Sequence, residues 1–483
     1  MNAQYSESKL PPFTLLDEPQ LSFDAEDKQL DANPLRGLDH YGPYSLSVFK
    51  TFTPALRLAT MAPANGWNNL RNLVTTLRSQ QDPRDRPDYV PAYRGFEGVF
   101  GIALEAARDA NAHIKLANDL EALGQDGRPQ DRLMQSIRSG LERLHLVRDT
   151  FDVALVYLPD AWASAFRADG FDARDALKAL GAMYAIPTQV VNDRAFMFQY
   201  KASLAWRLGI ALYVKAGGVP WKLAPIAQVP EGTAYIGLAY ALRGDPKDAH
   251  FVTCCSQVFD ADGGGMEFVA FEARDPVANV EEARRNPFLT RNDMRAVLAR
   301  SLNIYQTRNG GQLPRRLVVH KRSAFKQEEL DGALDALAAV KEVECIEVAS
   351  SPGWRGVWLK QGRNSNVTSE PDNYPVPRGT MLQRTGASAL VWVAGNAPRA
   401  SLSSNYYQGK KSIPRPINLV RHAGSGSLSL AALEALALTK MDWNNDALYD
   451  PVPVTIRYSQ RLAQTIANVP DLPGKTYAYR LFM

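Results

Sequence analysis

Two short runs of this chain carry side chains whose type and spacing suit the capture of an anion. In DARDALKALGAMY (172–184), Arg174 and Lys178 stand four residues apart and therefore project from one helical face. Gln189 closes the run IPTQ, and Lys215 opens KAGGVPW after an apolar-periodic segment that passes through Trp206 and Leu212. A Gln and a Lys separated by such a helix, each beside backbone that must turn tightly, make an anion clamp. Arginine would pair with phosphate bidentately, the two lysines would act as point charges, and the glutamine would offer a neutral amide. On spacing alone, the same residues also describe a solvated basic pair beside Asp172 and Asp175, a β-turn, a core helix and a Gly217–Gly218 cap.

Other chemistry is less well supported by spacing. The three cysteines, Cys254, Cys255 and Cys345, are too few for a disulfide framework and lack the C-x-x-C spacing of a zinc site, so they read as buried thiols. The six histidines form no H-x-x-x-H pair. Asp260, Asp262 and Glu267 surround three glycines without EF-hand spacing and read as a polar hairpin. Gly424-Ser425-Gly426-Ser427 lacks the Lys-Ser/Thr of a P-loop and reads as a loop and N-cap before LSLAALEALALTKM. Arg378, Arg384, Lys410, Lys411, Arg415 and Arg421, interleaved with Tyr406 and Tyr407, could form a strip along a nucleic-acid backbone or a solvated surface.

The whole chain must supply the elements that position these groups. At 483 residues and 45% hydrophobic content it can bury a large core in two or three domains. The formal charge is only +4, so a nucleic-acid site would have to come from local clustering. No window reaches the ~18 apolar residues of a membrane span, and MNAQYSESKL lacks the apolar core of a secretory signal, which predicts a cytoplasmic protein with no membrane partner.

Residues 1 to about 45 are rich in Pro and acids and read as an extended arm. SLSVFKTF from Ser45 reads as a strand, 66–80 as a helix, 95–104 as strand-like, 131–145 as an amphipathic helix and 152–158 as a buried strand. A buried strand between helices predicts a parallel sheet covered on both faces. Beyond Trp221, strands at 233–241, 250–258 and 266–272 precede a helix at 291–305. A strand at 316–320, a helix at 328–340 and a strand near 343–349 follow.

IPTQ followed by VKAGGVPW resembles the junction of the MID and PIWI domains in Argonaute proteins, and the order of the remaining signals resembles a short prokaryotic Argonaute along nearly the whole chain. Gly37-Leu38 followed by Gly42-Pro43 is similar to the opening of such proteins. The resemblance implies an α/β fold with an N-terminal arm (1–60), a Rossmann-like MID domain (61–225) and a ribonuclease H-like PIWI domain (226–483). It implies that Arg174, Lys178, Gln189 and Lys215 bind the 5′ phosphate of a guide RNA, Arg174 standing where many relatives carry an aromatic ring or His. It also implies a Mg²⁺ ion held by Gln189 and the C-terminal carboxylate of Met483.

A ribonuclease H-type site needs clustered carboxylates to hold two Mg²⁺ ions about 4 Å apart. Where slicing Argonautes have I-G-x-D, this chain has Ile236-Gly237-Leu238-Ala239. Where they have R-D-G after a strand, it has Arg322 or Ser323, and the stretch TIRYSQRLAQ offers Arg457, Tyr458 and Ser459. The resemblance therefore implies a chain that is not itself an enzyme. It would sense complementary single-stranded target DNA and, as a heterodimer, activate an effector carrying an APAZ region with a sirtuin-like or TIR domain, or an APAZ-fused nuclease. NAD⁺ depletion would then give abortive defence against plasmids or phage. The alternative is a free-standing guided endonuclease that uses an atypical set such as Glu267, Glu272 and Asp442.

Overall fold

The computed structural model describes residues 12–48, 53–83, 87–123, 127–168, 171–243, 251–260, 263–272, 288–351, 353–360, 370–403, 412–444, 447–469 and 476–483. Side chains of 242–243, 251–258, 265–272, 358–360 and 370–374 lie outside the described set. Two sheets organise the chain. Strand β1 (Phe13–Leu15) belongs to the second; the first is built from β2 (Ala55–Pro63), β3 (Ala103–Ala106), β4 (His113–Leu116), β5 (Val153–Tyr157) and β6 (Thr188–Val191). All its pairings are parallel: β3 and β4 flank β2 on one side, β5 on the other, and β6 lies outside β5.

Parallel strands need covered faces, and the period of two in VALVY shows how this is achieved. Val153, Leu155 and Tyr157 pack toward α1 (Trp67–Arg78) and α4 (Lys201–Lys215). Ala154 and Val156 pack toward α2 (Pro129–His145) and α3 (Ala173–Met183). Each fully buried Val or Leu contributes about 1.5–3 kcal/mol. This is the Rossmann-like unit.

The second sheet contains β7 (Thr233–Arg243), β8 (Phe251–Asp260), β9 (Gly265–Glu272), β10 (Arg316–Lys321), β11 (Glu342–Ser350), β12 (Thr380–Gln383), β13 (Ser388–Val391), β14 (Ile417–Ala423) and β15 (Thr476–Ala478). Its spatial order is β1-β12-β13-β14-β11-β10-β7-β8-β9-β15. β7, β8 and β9 form an antiparallel meander, and β10 and β11 add in parallel beside β7. Three antiparallel strands with two parallel strands added beside the first is the ribonuclease H-like arrangement. Helices α5 (Arg291–Arg308) and α6 (Gln327–Ala336) cover one face through Met294, Val297 and Ala333. The other face receives α7 (Leu428–Leu438) and α8 (Val454–Asn468). At Gly237 the α8 backbone comes so close to β7 that a Cβ would lie 2.0 Å from the Thr455 carbonyl oxygen.

Several local expectations change. Tyr44–Val48 is a helix, not part of a strand, fixed by Tyr44 N–H donating to the Pro220 carbonyl and Val219 N–H to Ser45 Oγ. Phe96–Phe100 is a short helix between Gly95 and Gly101, both at positive φ, and the strand begins only at Ala103. Thr188 and Gln189 open β6 instead of lying in a turn, because their backbone continues the ladder on β5. Helix α6 ends at Ala336, short of Val340. The arm, read as extended, also carries the helix Pro34–Tyr41, capped by Asn33. Ser427 caps α7 as expected, accepting from Leu430 N–H at 3.0 Å. The turn before β9 is a hairpin, with Gly263 N–H donating to the Asp260 carbonyl at 2.9 Å; Asp262 lies outside the described residues. Cys345 is a buried thiol whose pKa burial pushes up to about 12; the Cys254 and Cys255 side chains are outside the described set. Among the described residues no helix is long and apolar enough to cross a membrane.

Candidate anion-binding site

Helix α3 begins at Asp172, whose carboxylate caps the N–H groups of Arg174 and Asp175. One turn on, Lys178 is directed inward, 9% exposed, while Arg174 stays exposed at the rim. The Lys178 ammonium donates to the Phe482 carbonyl at 3.0 Å, which brings the end of the chain against α3. Burial, reinforced by Arg461 and Arg174 and opposed by Asp175 and Asp172, lowers its pKa to about 8.

Gln189 is the second residue of β6; its Nε2 donates to the Val190 carbonyl at 3.0 Å. Its Oε1 accepts from Lys215 Nζ at 2.6 Å. Lys215 is the last residue of α4, followed by Gly217 at a φ of 104° and by Gly218, whose missing Cβ makes room for the Tyr213 ring. It is 2% exposed. Burial holds its pKa well below the ordinary lysine value, and Lys178, Arg461 and Arg174 all act in the same direction.

Arg461 on α8 is the residue that the sequence reading missed. Its Nη1 is buried and has no hydrogen-bond partner. With Tyr458, Leu462, Tyr479, Phe482 and Met483 it lines a cavity of about 10 Å³. No local pattern marks it, because it reaches the site only through the packing of α8 on α3. Asp175 fixes that packing by accepting from Thr465 Oγ1 at 3.1 Å and Asn468 Nδ2 at 2.8 Å. The neighbouring acids are thus engaged, Asp172 by its cap and by Arg167 at 3.5 Å. Among the described residues none of Arg174, Lys178, Lys215 and Arg461 is ion-paired.

The structure therefore brings all four expected residues together and adds a fifth. An unpaired buried cation costs several kcal/mol; the depressed lysine pKa values relieve part of that cost, and a bound anion would relieve the rest. Two ammonium groups, a guanidinium with an unsatisfied N–H and a rim guanidinium suit a ligand with several charged oxygens, such as phosphate. Met483 is buried beside this group at 3% exposure.

The second expected locus looks different. Ala239 lies on β7, paired with Cys255 on β8. Arg322, just past β10, donates to Ser350 Oγ at 2.8 Å and Gln460 Oε1 at 3.3 Å. Arg457 is salt-bridged to Asp450, Tyr458 donates to Asp442 Oδ1 at 2.9 Å, and Ser459 Oγ donates to the Thr455 carbonyl at 2.6 Å. Of the atypical carboxylate set, Asp442 is thus hydrogen-bonded, and the Glu267 and Glu272 side chains lie outside the described set. Among the described residues no group of three or more His, Cys, Asp or Glu is placed to hold a metal ion.

The basic strip does not survive intact. Arg378 is fully buried, ion-paired to Glu18 and donating to the carbonyls of Val393 and Leu436. Arg421 is mostly buried, its Nε 3.8 Å from Glu344. Arg384 and Arg415 are exposed, while Tyr406, Tyr407, Lys410 and Lys411 lie outside the described residues.

No protein-family model and no curated protein matches the chain. Solved structures do. An Argonaute of Clostridium butyricum bound to a guide DNA and a 19-mer target DNA has a TM-score of 0.64 at 13% identity, over 98% of this chain and 55% of that one. The Argonaute of A. aeolicus gives 0.61 at 14% identity, over 98% and 56%. Drosophila Piwi gives 0.58 at 15%, over 97% and 55%. The chain thus has the MID–PIWI fold of Argonautes and spans about half the length of the structures it matches.

Proposed function

We propose that this chain, with its Argonaute-like MID–PIWI fold, anchors the 5′ phosphate of a guide strand between Lys178, Lys215, Gln189, Arg174 and Arg461. The observation that carries the reading is the burial of Lys178 and Lys215 in one group, neither of them in an ion pair with a described residue. A terminal phosphate brings about two negative charges at neutral pH and offers oxygens to every free donor. A Mg²⁺ ion beside the phosphate would be held by Gln189 Oε1, which also accepts from Lys215 Nζ at 2.6 Å, and by an oxygen of Met483, and would add positive charge.

The guide is RNA and the target complementary single-stranded DNA, recognised by pairing while the protein holds the duplex by its backbone. The chain does not cut. Ala239, Arg322 or Ser323, and the stretch Arg457-Tyr458-Ser459 stand where the resemblance expects metal-ligating carboxylates, and none of these side chains is a carboxylate. Its output is then conformational and passes to an APAZ-containing effector of the sirtuin-like or TIR class, in the cytoplasm, for defence against plasmids or phage. That coupling requires target pairing to favour the active assembly over the inactive one.

The test is the nucleic acid that co-purifies with the expressed protein. Short RNA that accepts a kinase label only after phosphatase treatment is the expected result, with no target cleavage in Mg²⁺ by the chain alone. Strands with free 5′ hydroxyls would remove the anchoring role, and metal-dependent cleavage would restore the endonuclease reading.

A further inference from the structure

An open tryptophan beside an arginine lies outside the phosphate pocket. Trp354 is 42% exposed, an unusual amount for the largest apolar side chain. The Arg384 guanidinium carbon lies over the ring, 6.0 Å from its centroid, at the outer limit of a cation–π contact. Arg384 has no ion pair with any described residue. Its backbone is fixed by a tight turn: its N–H donates to the Ser388 carbonyl at 2.9 Å, and Thr385 Oγ1 lies 2.8 Å from Ser388 Oγ. Trp354 follows closely on Ser350, the last residue of β11, and Ser350 Oγ holds Arg322 from the end of β10. Carboxyl ends of parallel strands are where open α/β sheets receive ligands.

We propose that Trp354 and Arg384 form a contact site for single-stranded nucleic acid, with a base stacked on the indole and Arg384 on an adjacent phosphate. The flat exposed ring matches a base face, and Arg384 beside it matches the charge of the backbone. A duplex keeps its base faces closed, so the occupant is an unpaired strand. The assignment rests on the nucleic-acid reading above but involves none of the phosphate-pocket residues.

The experiment cross-links the full chain to 5-bromouracil-substituted single strands and maps the adduct, alongside titrations of 5′-phosphorylated and 5′-hydroxyl strands. The adduct falls on the peptide containing Trp354. Trp354→Ala weakens binding of both strands by roughly 5- to 150-fold, the range of one lost base–aromatic stack, while Trp354→Phe retains most of it. Arg384→Ala lowers the slope of log affinity against log salt by about 0.7. The ratio between the two strands stays at its wild-type value in all three variants, so loss of that ratio in the wild type sinks the pocket reading separately. Adducts elsewhere with unchanged affinity in Trp354→Ala, or no single-strand binding at all, would overturn the site.

Discussion

Lys215 Nζ donates to Gln189 Oε1 at 2.6 Å, joining the last residue of α4 to the second residue of β6. The bond satisfies one of the ammonium's donors with a neutral acceptor and leaves its charge uncompensated.

Lys215→Met should therefore separate stability from binding. Removing an unneutralised buried cation raises the stability of the free protein by about 1–3 kcal/mol, read as a higher Tm. The same change lowers affinity for 5′-phosphorylated strands by about 1.5–3 kcal/mol, the contribution of a hydrogen bond to a charged group. A fall in both quantities would mean that Lys215 is neutralised by something else.

The pH dependence follows from the depressed lysines, Lys178 lowered to about 8 and Lys215 held well below the ordinary lysine value. Phosphate binds the protonated forms, so affinity is highest below the free-protein pKa values and falls as pH rises through them, by up to tenfold per pH unit for each titrating lysine. Stability moves the other way. Both groups bind fewer protons folded than unfolded, so stability rises with pH from below the folded values toward the ordinary 10.5. Calorimetry and binding between pH 7 and 9.5 should give slopes of opposite sign.

Arg461→Ala should cost 5′-phosphate affinity by about 1.5–3 kcal/mol with little change in Tm, because the buried Nη1 has no partner to lose. Arg461→Lys should recover part of the affinity as a point charge. An unchanged affinity would remove Arg461 from the site.

Glu18→Gln tests the clasp that holds the arm. Glu18 meets Arg378 Nε at 3.1 Å and Lys440 Nζ at 2.5 Å, all three buried. Losing the charge leaves two buried cations and should cost about 3–5 kcal/mol. Burial pushes the Glu18 carboxyl up, but Arg378 and Lys440 more than reverse this, so its folded pKa lies below 4.5. Its contribution is present above that value and lost as pH falls through the lowered one. Acid unfolding of Glu18→Gln should show a correspondingly smaller pH dependence.

The sequence was most informative where a period covers a full element. WNNLRNLVTTLR places Leu70, Leu73 and Leu77 on one face of α1, and VALVY alternates between two helix layers. It misled where tertiary contacts decide. Ser45 and Leu46 alternate like a strand, but hydrogen bonds to 219–220 hold them in a helix. Thr188-Gln189 follows a proline like a turn, but β5 supplies a ladder. Of the site, helical spacing paired Arg174 with Lys178 and punctuation flanked Gln189 and Lys215, but both patterns equally describe a solvated pair and a capped core helix, and only the family resemblance singled the four out. Arg461 was not legible, because α8 meets α3 only in the folded chain. Arg378 entered the basic strip because a charge in a sequence carries no record of its burial.

The most direct test of the phosphate anchor is the ratio of affinities for otherwise identical 5′-phosphorylated and 5′-hydroxyl strands, measured for the wild type and for Lys178→Ala, Lys215→Ala. The account predicts at least a roughly tenfold phosphate preference in the wild type and none in the double variant. Equal binding of the two strands by the wild-type protein would contradict it.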